Sequence, residues 1–220
     1  MTQDVPYAPE SPAEALAGAR LAFIGAGVMA ESMIAGLLKR GLIAPDGIIA
    51  SHPRADRREK LVARFGIATA EHNAEAASGA DLVFLTVKPQ VLTGVMKQLK
   101  GQLQPHQVAV SIIAGAPFSL LRQGLNHEAI VRVMPNTPAQ IGAGMMVWAS
   151  TPEVPNDQFA RVRAALGALG EELWVEDEKY VDMATALSGT GPTYVFLMME
   201  ALIDAGVHMG FPRRIAEQIV

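Results

Sequence analysis

Short runs of β-branched and aliphatic residues recur along the chain with room for a helix between them: LAFIG (21–25), GIIAS (47–51), DLVFLTV (81–87) and QVAVSII (107–113). None alternates apolar with polar, so each predicts a strand buried on both faces. The intervening segments carry helical stripes. Ala30, Ile34, Leu37 and Leu38 share one face, and Val91, Val95, Met96 and Leu99 another. Strand and helix in alternation predict right-handed crossovers and a parallel, doubly wound α/β sheet of the Rossmann type. AIVRVM (129–134) and GMMVWAS (144–150) extend the sheet, 156–169 covers it as a helix, and EELWV (171–175) closes it. From about Asp177 no strand-like run follows. The pattern there reads as a helix, a Gly-rich break at Ser188 to Pro192, and a long helix to about His208. Three regions result: an N-terminal extension (1–17), a dinucleotide-binding domain (18–176) and an all-helical domain (177–220). The closing phrase IAEQIV is helical with no stop signal, so the helical domain reads as incomplete.

Composition narrows the class. Half of the 220 residues are hydrophobic, enough for a full core. A net charge of -4 gives no basic footprint for nucleic acid, so small molecules are the expected partners. There are no cysteines, which excludes disulfides and thiolate metal sites and suits a reducing compartment, the cytoplasm by default. Residues 1–18 mix acids and prolines where a signal peptide needs a basic start and an apolar run; they read as a flexible, solvated extension. Gly, Lys or Pro interrupts every apolar run before the roughly 18 residues of a membrane span. The histidines, at 52, 72, 106, 127 and 208, have no close metal spacing, and no metal site is expected.

The chemistry starts at Gly25-Ala26-Gly27-Val28-Met29-Ala30, a GxGxxA set between a strand and an amphipathic helix. Gly25 permits the tight turn, Gly27 lets a pyrophosphate approach the backbone, and Ala30 allows close helix packing. Free N–H groups at the helix start meet the negative charge. After the second strand, where NAD binding calls for an acid, the chain has Ser51-His52-Pro53-Arg54. A hydroxyl and a guanidinium suit a ribose phosphate, so NADPH is favoured, with NADH as the alternative. A solvated basic loop with Arg57 and Arg58 is the plainer reading of Arg54.

IGAGVMAESMIAGL (24–37), FLTVKPQ (84–90), SIIAGAP (111–117), VRVMPNTPAQIGAG (131–144) and the phrase from LSGTGPTY at 187 onward together resemble the pyrroline-5-carboxylate reductases. The resemblance spans residues 21–220. It implies reduction of 1-pyrroline-5-carboxylate to L-proline with NAD(P)H, the last step of proline biosynthesis, and a homodimer or larger homo-oligomer formed through the helical domain. It places cofactor contacts at Gly25 to Ala30, Ser51, Asn73, Val87-Lys88-Pro89 and Ala114-Gly115. Members of the family also continue for about fifty residues past position 220, with further substrate contacts.

Independent reasons accompany those positions. Val87 to Pro89 and Ala114-Gly115 end strands, where ligands of such sheets lie; Lys88 is otherwise a solvated lysine. Asn73 also suits a helix N-cap. The prolines of Met134-Pro135-Asn136-Thr137-Pro138 hold Asn136 and Thr137 in an extended turn that aims polar groups, which makes Asn136, Thr137 and Pro138 candidates for the active site. Ser188, Gly189, Thr190 and Gly191 precede Pro192 at a helix start, a seat for a substrate carboxylate or simply a cap. Glu178 is assigned by the resemblance to the substrate's ring nitrogen. A protonated imine is already electrophilic, so positioning can supply much of the rate without a dedicated general acid. Two other readings stand beside this one. An NADPH-binding module without turnover fits the incomplete helical domain. A hydroxyacid dehydrogenase would need a lysine on the long helix, and none follows Lys179.

Overall fold

The computed structural model describes residues 11–220. In chain order its elements are α1 (Pro12–Ala15), β1 (Leu21–Ile24), α2 (Val28–Lys39), β2 (Ile48–Ser51), α3 (Ala55–Phe65), β3 (Ala68–Ala70), α4 (Asn73–Ala77), β4 (Leu82–Leu85), α5 (Leu92–Leu99), β5 (Val108–Ser111) and α6 (Phe118–Leu125), followed by β6 (Ile130–Met134), β7 (Gly144–Ser150), α7 (Asn156–Gly167), β8 (Gly170–Trp174), α8 (Lys179–Ala184), α9 (Gly191–His208) and α10 (Arg213–Ile219).

All eight strands form one sheet in the order β3-β2-β1-β4-β5-β6-β7-β8. From β3 to β6 the pairing is parallel. There the expectation of parallel strands ends. β7 runs antiparallel to β6, because its short connection turns straight back, and β8 pairs parallel to β7. The chain leaves β1 outward through β2 and β3, then returns to β4 and continues the other way. The switch point therefore lies between β1 and β4, where a sheet of this kind opens a crevice beyond its strand ends.

Successive residues of each strand feed opposite faces. Leu21 and Phe23 of β1 with Leu82 and Phe84 of β4 join α2, α3 and α7 in one core; Ala22 and Ile24 with Val83 and Leu85 join α4, α5 and α6 in the other. Phe23 and Phe84, directly opposite in register, stack at 4.9 Å. Trp148, Phe159 and Trp174 form a second aromatic group toward β8.

Several boundaries differ from the sequence expectation. Residues 1–10 of the expected extension lie outside the described residues, and residues 11–17 are not solvated tail. Ser11 caps α1, which packs on α7 and places Leu16 at 1% exposure. β3 has only three residues, too few to show a period. α3 buries Leu61 alone and is otherwise too polar to show a helical stripe. On the α5 stripe, Val91 is exposed because it belongs to the turn before the helix. The Gly-rich break at 188–192 is no break: Thr185–Gly189 form a π turn that carries α8 into α9. Among the described residues no helix is long and apolar enough to cross a membrane.

Candidate functional site

The loops that follow β1, β2, β4, β5 and β6 all leave the same edge of the sheet, so most positions singled out from the sequence converge there. At its centre is the turn after β1. Gly25 has φ +96°, and a Cβ there would stand 2.4 Å from the Val87 side chain, so only glycine fits. A Cβ on Gly27, by contrast, would meet no protein atom closer than 4.0 Å. The backbone there is open to close approach by a ligand. Gly27 caps α2 without a side-chain acceptor, which leaves the first-turn N–H groups of Val28, Met29 and Ala30 open to an anion. Ala26 and Ala30 are buried, and Ala30 lets α2 lie close on the sheet. The dinucleotide pyrophosphate fits this cradle.

Two residues missed in the sequence hold the turn. Thr86 Oγ1 donates to the carbonyls of Gly25 at 2.6 Å and Ile24 at 3.1 Å. Its signal was a single polar residue in an apolar strand. Arg57 reaches across from α3 to donate to the Ala26 carbonyl at 2.9 Å while pairing with Glu31, which Arg64 also holds. Glu31 sits in the first turn of α2. Pairing it with two arginines offsets a negative charge that would otherwise oppose a phosphate.

Beyond β2, Ser51 is not presented as expected. Its side chain is 0% exposed, and Oγ donates to Asn73 Oδ1 at 2.7 Å, so the hydroxyl positions Asn73 rather than meeting a phosphate directly. Asn73 in turn donates through Nδ2 to Gln98 Oε1 at 2.7 Å. It caps nothing: His72 is the N-cap of α4 and Asn73 is its first helical residue. Arg54 is exposed and forms a two-pronged pair with Asp56, at 2.9 and 2.6 Å. Burial, then Arg57 and Arg54, hold His52 below the usual histidine range. His52 thus resists becoming a further cation beside these arginines.

Val87, Lys88 and Pro89 lie beyond β4, with Lys88 and Pro89 exposed, and Ala114 and Gly115 stand exposed beyond β5. Beyond β6, Thr137–Ile141 form a 3-10 turn rather than an extended one, because Pro138 at its start favours helical φ. Asn136, just before it, is extended, and its Oδ1 accepts the Met145 N–H at 2.9 Å. Its Nδ2 has no partner among the described residues. The Ser188 to Gly191 stretch meets the end of β6 just before this loop, since a Cβ on Gly189 would come within 2.6 Å of the Met134 terminal methyl.

Capping by Ser188 and Thr190 does not occur. Ser188 Oγ donates back to the Ala184 carbonyl and Thr190 Oγ1 to the Thr185 carbonyl at 2.7 Å, while the Thr190 N–H also bonds Thr185. A continuous helical path consumes its own donors, so α9 does not begin as an open anion seat. Glu178 is likewise engaged. Its Oε1 accepts from Arg132 Nη1 and from the Phe118 N–H, both at 2.6 Å, and Arg132 Nη2 bonds Asp182 at 2.7 Å. Arg132 is 3% exposed; burial opposes its charge, but bonds to Asp182 and Glu178 outweigh that and hold the guanidinium above its ordinary value. The sequence marks Arg132 only as a lone charge in IVRVM.

Comparison with known proteins gives this geometry a lineage. Residues 20–115 match the family model described as NADP oxidoreductase, coenzyme F420-dependent, and residues 178–220 match pyrroline-5-carboxylate reductase dimerisation. The pyrroline-5-carboxylate reductase of Pseudomonas aeruginosa is 43% identical over 201 residues, 91% of this chain and 73% of that protein. The chain belongs to the pyrroline-5-carboxylate reductase family. The Coxiella burnetii pyrroline-5-carboxylate reductase superposes with a TM-score of 0.84 at 32% identity, covering 91% of this chain and 75% of that one. The Plasmodium falciparum pyrroline carboxylate reductase, solved with NADP bound, gives 0.81 at 29% identity over 91% and 74%. Membership in the pyrroline-5-carboxylate reductases accounts for a nicotinamide-dinucleotide cradle joined to a helical dimerisation region.

Proposed function

We propose that this chain reduces 1-pyrroline-5-carboxylate to L-proline using NADPH. One observation carries the reading: Gly189 packs on Met134, the last residue of β6, which brings the Ser188 to Gly191 helical turn beside the Pro135 to Pro138 turn on the sheet edge that bears the Gly25 cradle. Bound NADPH supplies a hydride there. The N–H groups of Val28, Met29 and Ala30 hold the pyrophosphate, and the loop from Ser51 to Arg54 takes the adenosine end, with Asn73 set by Ser51 and Gln98. Arg54 can exchange Asp56 for a ribose phosphate, since both side chains are exposed. Val87, Lys88 and Pro89 with Ala114 and Gly115 line the path toward the nicotinamide end.

On the substrate side, Asn136 is fixed through Oδ1, which turns Nδ2 outward as a donor. Thr137 and Pro138 follow it, and Ser188, Gly189, Thr190 and Gly191 close the opposite wall. Reduction of a protonated imine asks chiefly for orientation, which these turns provide. The sheet-bearing part, to about Glu176, serves the cofactor, and the helices from Asp177 serve substrate and assembly as a homodimer or larger homo-oligomer. A cytoplasmic setting belongs to the same reading, supported by a chain without cysteine.

The test follows NADPH absorbance as pyrroline-5-carboxylate is added, with proline measured as product. Stoichiometric oxidation and proline formation are expected. NADPH binding without turnover would instead favour a binding module.

A further inference from the structure

We propose that Glu178 is a positioning residue: one carboxylate oxygen that locks the loop after β5, the end of β6 and the first helix beyond the sheet into a single active-site frame. The inference rests on the reading above and deepens it, and it departs from the substrate contact that family resemblance implies for this residue.

The argument begins with a missing acceptor. α6 opens after Pro117, which has no side chain able to cap it, so the Phe118 N–H would be an orphan of the first turn. Glu178, sixty positions later, fills that vacancy with Oε1 at 2.6 Å. A carboxylate at a helix N-terminus is also favoured by the helix dipole. The same oxygen accepts Arg132 Nη1 at 2.6 Å, and the other arm of that guanidinium takes Asp182, one turn further along α8. Arg132 is almost wholly buried, so its charge demands these partners and cannot exchange them for water.

Each anchored atom is next to a loop of the site. Phe118 directly follows Ala114 to Pro117. Arg132 stands two residues before Met134, which touches Gly189, and Glu178 and Asp182 lead into the π turn that carries Ser188 and Gly189. Loss of the shared oxygen frees the β5–α6 loop from the helical region while leaving the Gly25 turn, with its own bonds to Thr86 and Arg57, untouched. Glu178 thereby governs how the two halves of the site face one another, without touching either ligand.

The experiment compares the full chain with Glu178→Ala and Glu178→Gln, the glutamine keeping an acceptor for Phe118. Three readouts are taken: NADPH affinity by fluorescence, kcat with pyrroline-5-carboxylate, and amide hydrogen exchange of residues 114–121. Expected for Glu178→Ala are an NADPH affinity lowered only about two- to threefold, because Ala114 and Gly115 loosen while the Gly25 cradle keeps its own bonds, a kcat lowered about tenfold or more by misalignment, and faster exchange at 114–121. Glu178→Gln should restore most of the kcat and the protection. The proposal is overturned if exchange at 114–121 is unaffected in Glu178→Ala. It also fails if NADPH affinity falls in step with kcat, the mark of general unfolding, or if Glu178→Gln is as slow as Glu178→Ala with full protection, the mark of direct substrate contact. The exchange measurement needs no turnover, so an inactive parent chain would remove the reductase reading and still leave the frame to stand or fall on protection.

Discussion

At the scale of single residues, the site is arranged by side chains that no motif contains. The glycines make the cradle, but Thr86 and Arg57 decide where its carbonyls, and hence its N–H groups, point. Arg57→Ala removes the bond to Ala26 and half of the compensation of Glu31. It should weaken NADPH and NADH to the same degree, because both share the pyrophosphate; titration of each cofactor by fluorescence checks this. Arg54→Glu should behave differently and penalise NADPH far more than NADH, since only the ribose phosphate distinguishes them. Equal losses at Arg54 would refute its assignment. The glycine pattern, the lack of an acid after β2, and the MPNTPA phrase were all visible as residue types. What stayed hidden was who bonds to whom: Ser51 was read as a phosphate ligand because nothing in the sequence says that its hydroxyl is buried against Asn73.

At the scale of elements, legibility followed hydrophobic content. β1, β4 and β5 are apolar on both faces and announce themselves, β6 is so except for Arg132, and the run GMMVWAS coincides with β7. β3 and α3 lie toward the edge of the sheet, where a three-residue strand and a helix with one buried side chain leave no period to detect. The β1–turn–α2 unit depends most on a single position. Gly25→Ala puts a methyl group into Val87 at a backbone angle that only glycine accepts readily, at a cost of about 1–3 kcal/mol. The expected outcome is a lowered melting temperature together with loss of NADPH binding. A variant that melts lower yet binds NADPH normally would show that the turn is needed for folding alone.

At the scale of the molecule, the chain is lopsided. The sheet region buries its apolar residues on both faces, whereas Tyr194 to Met199 of α9 are each 38–69% exposed, around the whole circumference of the helix. An apolar helix of that kind requires a partner, and each such side chain contributes about 1.5–3 kcal/mol when fully covered. The match of residues 178–220 to a dimerisation family supports a homo-oligomer, and the prediction at this scale is that α9 carries the contact. Leu197→Asp should shift the species seen by sedimentation toward the monomer while leaving NADPH affinity intact. The π turn at Thr185–Gly189 has a consequence for this arrangement. It inserts one residue into an otherwise continuous helical rod, and one residue is about 100° of rotation. α8 keeps Asp182 aimed at Arg132, while Ser188 and Thr190 return their hydroxyls to Ala184 and Thr185. The extra residue acts as a phase shifter, turning every side chain of α9 by about one helical position relative to the Arg132–Asp182 anchor.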